Sequence, residues 1–242
     1  MKINITEGQH KNIPYLIYDS EAARRLIFIN HGIYGSKEQV MHLLGPQLVK
    51  LGYQVVAIDA YKHGKRIEEP YASKDKVLSR LRIFGVVKQT TKDILTLFKD
   101  KFNHRYQTFD ALGVSMGGYT AYYLTTQTTH LDTFVAMISS PAFSKAKVHE
   151  LPKDYSKELQ KEAKEVENLV ASMDVSNSVE DMQFKHGIAL NGTLDELVPM
   201  KHTKDFIERH PDLPMVFKTY DTEHKLTKSM SEDMLSLLKK RF

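Results

Sequence analysis

The 242-residue chain contains no cysteine, which excludes disulfide bonds, thiolate nucleophiles and cysteine-based zinc sites. No apolar run approaches the ~20 residues that a helix needs to cross a bilayer. The segment 1–8 lacks the apolar core of a secretory signal. Internal repeats and low-complexity segments are also absent. These absences favour a cytoplasmic protein without a membrane partner.

An excess of one charge is missing as well, because 34 basic residues are interleaved with 30 acidic ones. The formal charge is +4 and no basic stripe emerges, so we expect no nucleic-acid partner. With 41% apolar and 26% charged residues, the composition is that of an ordinary globular protein. A chain of this length can enclose a substantial core within one domain, 1–242.

Apolar runs alternate with amphipathic segments along most of the chain. The runs predict strands at 2–6, 13–19, 24–30, 53–59, 108–114, 133–140, 186–191 and 215–220. Helices are predicted at 37–51, 75–102 with a break at Gly85, 116–129, 154–173, 200–210 and 229–241. This alternation indicates an α/β protein with a mostly parallel, eight-stranded sheet and helices on both faces. An insertion at 141–185 interrupts the alternation of strands and helices, which predicts a small helical cap. A peripheral helical segment remote from any site is the alternative.

The stretch from Thr108 to Thr120 is typical of a strand, a sharp turn and a helix. Its spacing Gly113-x-Ser115-x-Gly117 is the nucleophile-elbow pattern, in which a strained serine leaves no room for side chains two positions away. The start of the helix directs unpaired N–H groups toward the hydroxyl. The alternative is a glycine-rich turn without chemistry, so the interpretation depends on partners for Ser115.

A serine hydroxyl becomes a nucleophile when a base takes its proton, and the base must be oriented by a third group. In a parallel sheet, such groups should follow the strands at their carboxyl ends. Asp195 follows a predicted strand and a glycine turn, with Glu196 as the fallback acid. His224, among eleven histidines, is the one in a post-strand loop downstream of Asp195. The predicted catalytic residues are therefore Ser115, Asp195 and His224.

Two backbone N–H groups are predicted to stabilise the oxyanion of an acyl-transfer reaction. One belongs to Met116, directly after the serine, at the start of the helix. The other lies in the loop 31–35, whose glycines permit unusual dihedral angles. Ile33 is the first candidate in this loop and Tyr34 is the alternative. His31 is interpreted as packing beneath the loop.

Together, these segments resemble the α/β-hydrolase family over nearly the whole chain, including its nucleophile–acid–histidine order. The segment 59–64 resembles the family's Asp-x-x-x-His-Gly motif, which is usually structural, so Asp59 and His63 receive no catalytic role. The chain is most similar to small esterases of the dienelactone-hydrolase and prolyl-oligopeptidase-like branch. A dienelactone hydrolase carries cysteine where this chain has Ser115, which argues against that specific activity.

The resemblance implies a serine esterase that cleaves small or medium acyl groups through an acyl-enzyme. No metal or organic cofactor is expected, and the partner is a small-molecule ester. Tyr34 and Tyr61 are candidates for the substrate pocket. The same residues could serve a thioesterase, an amidase or an acyltransferase, and a ligand-binding receptor on this fold is a further alternative.

Overall fold

The computed structural model describes residues 2–146 and 155–241. Within them, the strands are β1 (Asn4–His10), β2 (Ile13–Asp19), β3 (Arg25–Asn30), β4 (Tyr53–Ile58), β5 (Phe109–Val114), β6 (Leu131–Met137), β7 (His186–Gly192) and β8 (Met215–Tyr220). The helices are α1 (Lys37–Lys50), α2 (Lys76–Leu81), α3 (Ile83–Leu97), α4 (Met116–Leu124), α5 (Lys157–Met173), α6 (Met200–Arg209) and α7 (Lys228–Lys239).

The eight described strands form one sheet in the order β1-β2-β4-β3-β5-β6-β7-β8. The β1–β2 and β2–β4 pairs are antiparallel, and the remaining five pairs are parallel. The predicted mostly parallel, eight-stranded sheet is therefore confirmed. Because strands β3 to β8 are all parallel, the loops that follow them meet at one edge of the sheet.

Apolar side chains on the two faces of the sheet are covered by different helices. Val56 and Ile58 of β4 belong to a core with apolar residues of α3, α4, α5 and α6. Their neighbours Val55 and Ala57 point to the opposite face and share a core with residues of α1 and α7. This alternation is expected of a strand covered on both sides. The prediction of helices on both faces is confirmed.

The first hairpin turns later than the sequence predicts. The predicted strands 2–6 and 13–19 leave a connection of six residues, 7–12, but β1 continues through His10. Lys11 and Asn12 alone form the connection, with φ angles of 46° and 63°. Two successive left-handed residues match the twist of the flanking strands, and asparagine tolerates that conformation well. The residue that marks the turn in the sequence is therefore Asn12.

The break in the predicted helix 75–102 falls at Arg82 instead of Gly85. The Asp75 side chain begins α2 by accepting bonds from the N–H groups of Val77 (3.0 Å) and Leu78 (2.9 Å). Arg82 then leaves helical geometry, with φ −94° and ψ 2°. Gly85 lies inside α3 on its exposed side, because a helix tolerates one glycine at modest cost.

The described part of 141–185 contains α5, which begins after the capping residue Ser156. The predicted start of this helix, at residue 154, lies outside the described residues, as do all of 147–154. Arg82 binds Glu162 of α5 through two hydrogen bonds, of 2.5 and 2.8 Å. A cap formed by this segment of a single domain stays a prediction.

Among the described residues, no helix combines the length and the apolar character that crossing a membrane requires.

Candidate active site

Ser115 lies at the sharp turn between β5 and α4, with φ 54° and ψ −113°. This backbone conformation is strained for a residue with a side chain. A Cβ atom added to Gly113 would lie 1.8 Å from the carbonyl oxygen of Gly117. One added to Gly117 would lie 2.3 Å from the carbonyl oxygen of Asn30. Both glycines are therefore required for strand and helix to approach this closely.

Replacing Gly113 with alanine is expected to destabilise the fold by about 3 kcal/mol or more, because the new methyl group meets backbone atoms that cannot rotate away. Gly85→Ala is the matched control, since nothing lies within 4 Å of its added Cβ. There, alanine should stabilise α3 by about 1 kcal/mol. Urea unfolding measures both changes. A Gly113→Ala protein as stable as wild type would contradict the tight turn.

Ser115, His224 and Asp195 form one hydrogen-bonded chain. The Ser115 Oγ lies 2.8 Å from His224 Nε2, and His224 Nδ1 lies 2.7 Å from Asp195 Oδ2. A carboxylate only accepts, so the histidine donates from Nδ1 and presents a free lone pair at Nε2 to the hydroxyl. The imidazole is therefore oriented to remove the serine proton.

The Asp195 side chain is fully buried, and both of its oxygens accept hydrogen bonds. Its second oxygen, Oδ1, accepts hydrogen bonds from the N–H groups of Leu197 (3.0 Å) and Val198 (2.8 Å). The neighbouring Glu196 is exposed to solvent, and His224 meets Asp195 instead. Of the two candidate acids, Asp195 is therefore the one that joins the hydrogen-bonded chain with His224 and Ser115.

The loops after β7 and β8 are bonded to each other, which positions Asp195 beside His224. Leu194 N–H donates to the carbonyl oxygen of Thr222 at 3.1 Å. Gly192 permits this approach, because a Cβ there would lie 2.3 Å from the same oxygen. The two loops are therefore held against each other at the carboxyl edge of the sheet.

The loop 31–35 passes directly over Ser115. A Cβ on Gly32 would lie 3.5 Å from the Cβ of Ser115, and Tyr34 adopts a left-handed φ of 62°. The backbone N–H groups of Ile33, Tyr34 and Met116 donate to no acceptor among residues 2–146 and 155–241. Unpaired donors beside a nucleophile are what an oxyanion hole requires.

His31 supports this loop from below. Its Nδ1 donates to the carbonyl oxygen of Gly32 at 2.7 Å, and its Nε2 accepts from the N–H of Ala60 at 3.1 Å. Burial in an apolar environment lowers the pKa of His31 to about 4. The imidazole is therefore neutral at pH 7, and the interpretation of His31 as a packing residue is confirmed.

Acidification is expected to destabilise the fold through His31. Its folded pKa of about 4 lies below the ordinary histidine value of 6.5, so the unfolded chain binds more protons between these two values. The contribution of His31 to stability should fall by about 2 kcal/mol from pH 7 to pH 5. Urea unfolding at both pH values should show a smaller loss for His31→Asn than for wild type. The exposed His42→Asn is the control, and an equal loss in all three proteins would contradict the assignment.

Asp59 and His63 also have structural positions. Asp59 is fully buried and accepts from the backbone N–H groups of Lys37 (2.9 Å) and Lys65 (3.0 Å). Its Oδ2 also binds the Lys37 ammonium at 3.2 Å. His63 packs against Tyr71, with 4.3 Å between ring centroids. These contacts tie the loop after β4 to the start of α1, as expected for a bracing segment.

A cavity of about 370 Å³ opens beside Ser115 and His224. Ile33 and Tyr34 line it, whereas Tyr61 is not among its described lining residues, and a role for Tyr61 in substrate binding stays a prediction. The Tyr61 ring instead lies 5.3 Å from the guanidinium of Arg66. Glu196, predicted only as a fallback acid, also lines the cavity. The other described lining residues carry no signal in the sequence: Lys76, Arg80, Ile83, Tyr119, Ala146, Leu197 and Val198.

A second space of about 620 Å³, here called the outer cleft, is lined by residues of the loops after β7 and β8, including Asp195 and Glu223. His224 and Glu196 border both spaces, whereas Ser115 borders only the smaller cavity. Bound reactants must reach the hydroxyl, so the smaller cavity is the relevant one. Among the described residues, no group of three His, Asp or Glu side chains is arranged to hold a metal ion.

The mostly parallel sheet and the elbow at the carboxyl end of β5 define the protein as an α/β hydrolase. The sequence model of the serine aminopeptidase family, S33, matches residues 21–186. The chain therefore belongs to this family. A search of curated proteins gives no significant match.

Solved structures show the same fold along nearly the full length. TT1662 of Thermus thermophilus superimposes with a TM-score of 0.76 at 20% identity, covering 99% of this chain and 98% of that one. The esterase Pf2001 of Pyrococcus furiosus gives 0.67 at 20% identity, covering 99% and 91%. A puromycin-hydrolyzing peptidase of Mycobacterium tuberculosis gives 0.71 at 13% identity, covering 98% of this chain and 38% of that one.

Proposed function

We propose that the protein is a serine hydrolase that cleaves carboxylic esters of small or medium acyl groups. The observation that carries the proposal is the hydrogen-bonded chain from Ser115 through His224 to the buried Asp195, with distances of 2.8 and 2.7 Å. Nucleophile, base and orienting acid are the three groups that acyl transfer by serine requires. Membership of a hydrolase family supports the same reaction class.

In the proposed mechanism, His224 removes the Ser115 proton as the oxygen attacks the ester carbonyl. Asp195 holds the correct tautomer and stabilises the imidazolium that forms. Met116 N–H and Ile33 N–H, with Tyr34 N–H as the alternative to Ile33, bind the oxyanion; each such donor is typically worth about 3–4 kcal/mol of the barrier. His224 then protonates the departing alkoxide, and a water molecule repeats the steps on the acyl-enzyme.

Amide cleavage is the second candidate, because the matching family is that of serine aminopeptidases. An aminopeptidase binds a substrate ammonium group, for which carboxylates in the pocket are suitable partners. The described lining of the cavity contains Glu196 but also two cations, Lys76 and Arg80. This balance favours an ester without a free amine over a peptide with one.

The proposal is tested with p-nitrophenyl esters from acetate to dodecanoate, alongside a thioester and an anilide of the best acyl group. We expect kcat/KM to peak between butyrate and octanoate and then to fall, because the cavity holds only about 370 Å³. The ester should be the best of the three substrate classes. Faster turnover of the anilide would favour an amidase, and no turnover of any ester would contradict the proposal.

A further inference from the structure

The wall of the Ser115 cavity that α2 contributes carries two cations. Lys76 and Arg80 are separated by four residues, which places them on the same side of the helix, and both line the cavity. Both are exposed to solvent. Among the described residues, no carboxylate lies within ion-pairing distance of either side chain. No described carboxylate therefore competes with a bound molecule for the two charges.

The local sequence does not explain this pair as a device that stabilises the helix. Like charges four residues apart repel each other. Lys76 also occupies the first residue of α2, where the positive end of the helix dipole disfavours a cation. By contrast, the next arginine along the chain, Arg82, is paired with Glu162. Arg80, in the last turn of α2, suits the helix dipole, but its repulsion with Lys76 beside a reactive group is a sign of function rather than of folding.

Among the described lining residues, Glu196 carries the one opposing charge. Glu196 also borders the outer cleft, so it lies at the rim that the two spaces share. Lys76 and Arg80 border only the cavity that contains Ser115. Among the described lining residues, two positive charges therefore face one negative charge, so this part of the lining carries a net positive charge.

We propose that the substrate is an ester that carries an anionic group, such as a carboxylate, which binds Lys76 and Arg80 while the ester carbonyl lies at Ser115. This inference rests on the proposed function, since it assigns the substrate class of the same site. The apolar residues Ile33 and Ile83 would contact the chain between the two ends of the substrate. Arginine binds a carboxylate through two parallel hydrogen bonds, and lysine adds a point charge.

The test compares esters matched in length that differ in charge. In the first pair, ethyl hexanoate is neutral and monoethyl adipate carries a carboxylate on the acyl side. In the second pair, methyl 4-acetoxybenzoate is neutral and 4-acetoxybenzoate carries a carboxylate on the alcohol side. The quantity measured is the ratio of kcat/KM for the anionic ester to that for the neutral one. We expect a ratio above one for at least one pair at low ionic strength. The ratio should fall as salt is added, because salt screens exposed charges.

Removing the cations should remove the preference. Lys76→Gln and Arg80→Gln are each expected to lower the ratio by up to about fivefold, and the double variant by about tenfold or more. The control is Lys92→Gln, an exposed lysine of α3 outside the cavity, which removes the same charge and should leave the ratio unchanged. A melting curve confirms that each variant is folded.

The outcomes separate this inference from the function on which it rests. Turnover with no preference for the anionic ester in either pair, or with a preference that survives in the double variant, overturns the inference alone. No turnover of any ester, together with no labelling of Ser115 by a fluorophosphonate probe, overturns the proposed function and this inference with it.

Discussion

Replacing Ser115 with alanine is expected to lower kcat for p-nitrophenyl butyrate by about 10⁴-fold or more. The variant removes the oxygen that lies 2.8 Å from His224 Nε2, so no acyl-enzyme can form at this position. The oxyanion donors and the cavity remain, and they account for any residual acceleration over water. A fluorophosphonate probe, which reacts with activated serines, should label the wild-type protein and leave the variant unlabelled.

The matched control for this experiment is Ser20→Ala. Ser20 is a buried serine that follows β2, at the opposite edge of the sheet from Ser115, and its hydroxyl has no partner among the described residues. Its removal should leave both turnover and labelling intact. Alanine meets the same backbone strain as serine at φ 54°, so Ser115→Ala should fold normally. Full esterase activity in the folded Ser115→Ala protein would remove the nucleophile assignment.

The sequence predicted those features of the site that depend on chain order and on local geometry. Gly113, Ser115 and Gly117 form a pattern that one tight turn explains, and the structure has that turn. Asp195 and His224 each follow a strand, and parallel strands bring their carboxyl ends to one edge whatever the details of the packing. Their roles in catalysis stay predictions until the substitutions are made.

The features that sequence reasoning missed depend on contacts between distant segments. Tyr61 follows β4 just as the loop 31–35 follows β3, but its ring lies 5.3 Å from the Arg66 guanidinium and is not part of the described lining of the cavity. Lys76 and Arg80 belong to a segment that we interpreted only as an amphipathic helix. Nothing in their spacing shows which surface they face, because that depends on the break at Arg82 that separates α2 from α3.

Replacing Asp195 with asparagine is expected to lower kcat by about 10⁴-fold while the protein stays folded. The reason lies in the two backbone N–H groups, of Leu197 and Val198, that donate to Oδ1. An asparagine must turn its oxygen toward these donors, so its NH₂ group replaces the Oδ2 acceptor beside His224. The histidine then keeps its proton on Nε2 and can no longer accept one from Ser115.

Two further variants make this prediction specific. Asp221→Asn, an exposed carboxylate in the same loop as His224, removes one negative charge without touching the hydrogen-bonded chain and should leave kcat close to wild type. Glu196→Gln tests the fallback acid, whose carboxylate is solvated and borders the cavity. If Glu196→Gln proved more damaging than Asp195→Asn, the acid would be wrongly assigned. The expected order follows from the contacts, since Asp195 accepts the hydrogen bond that fixes the tautomer of the imidazole, whereas no such bond joins Glu196 to His224.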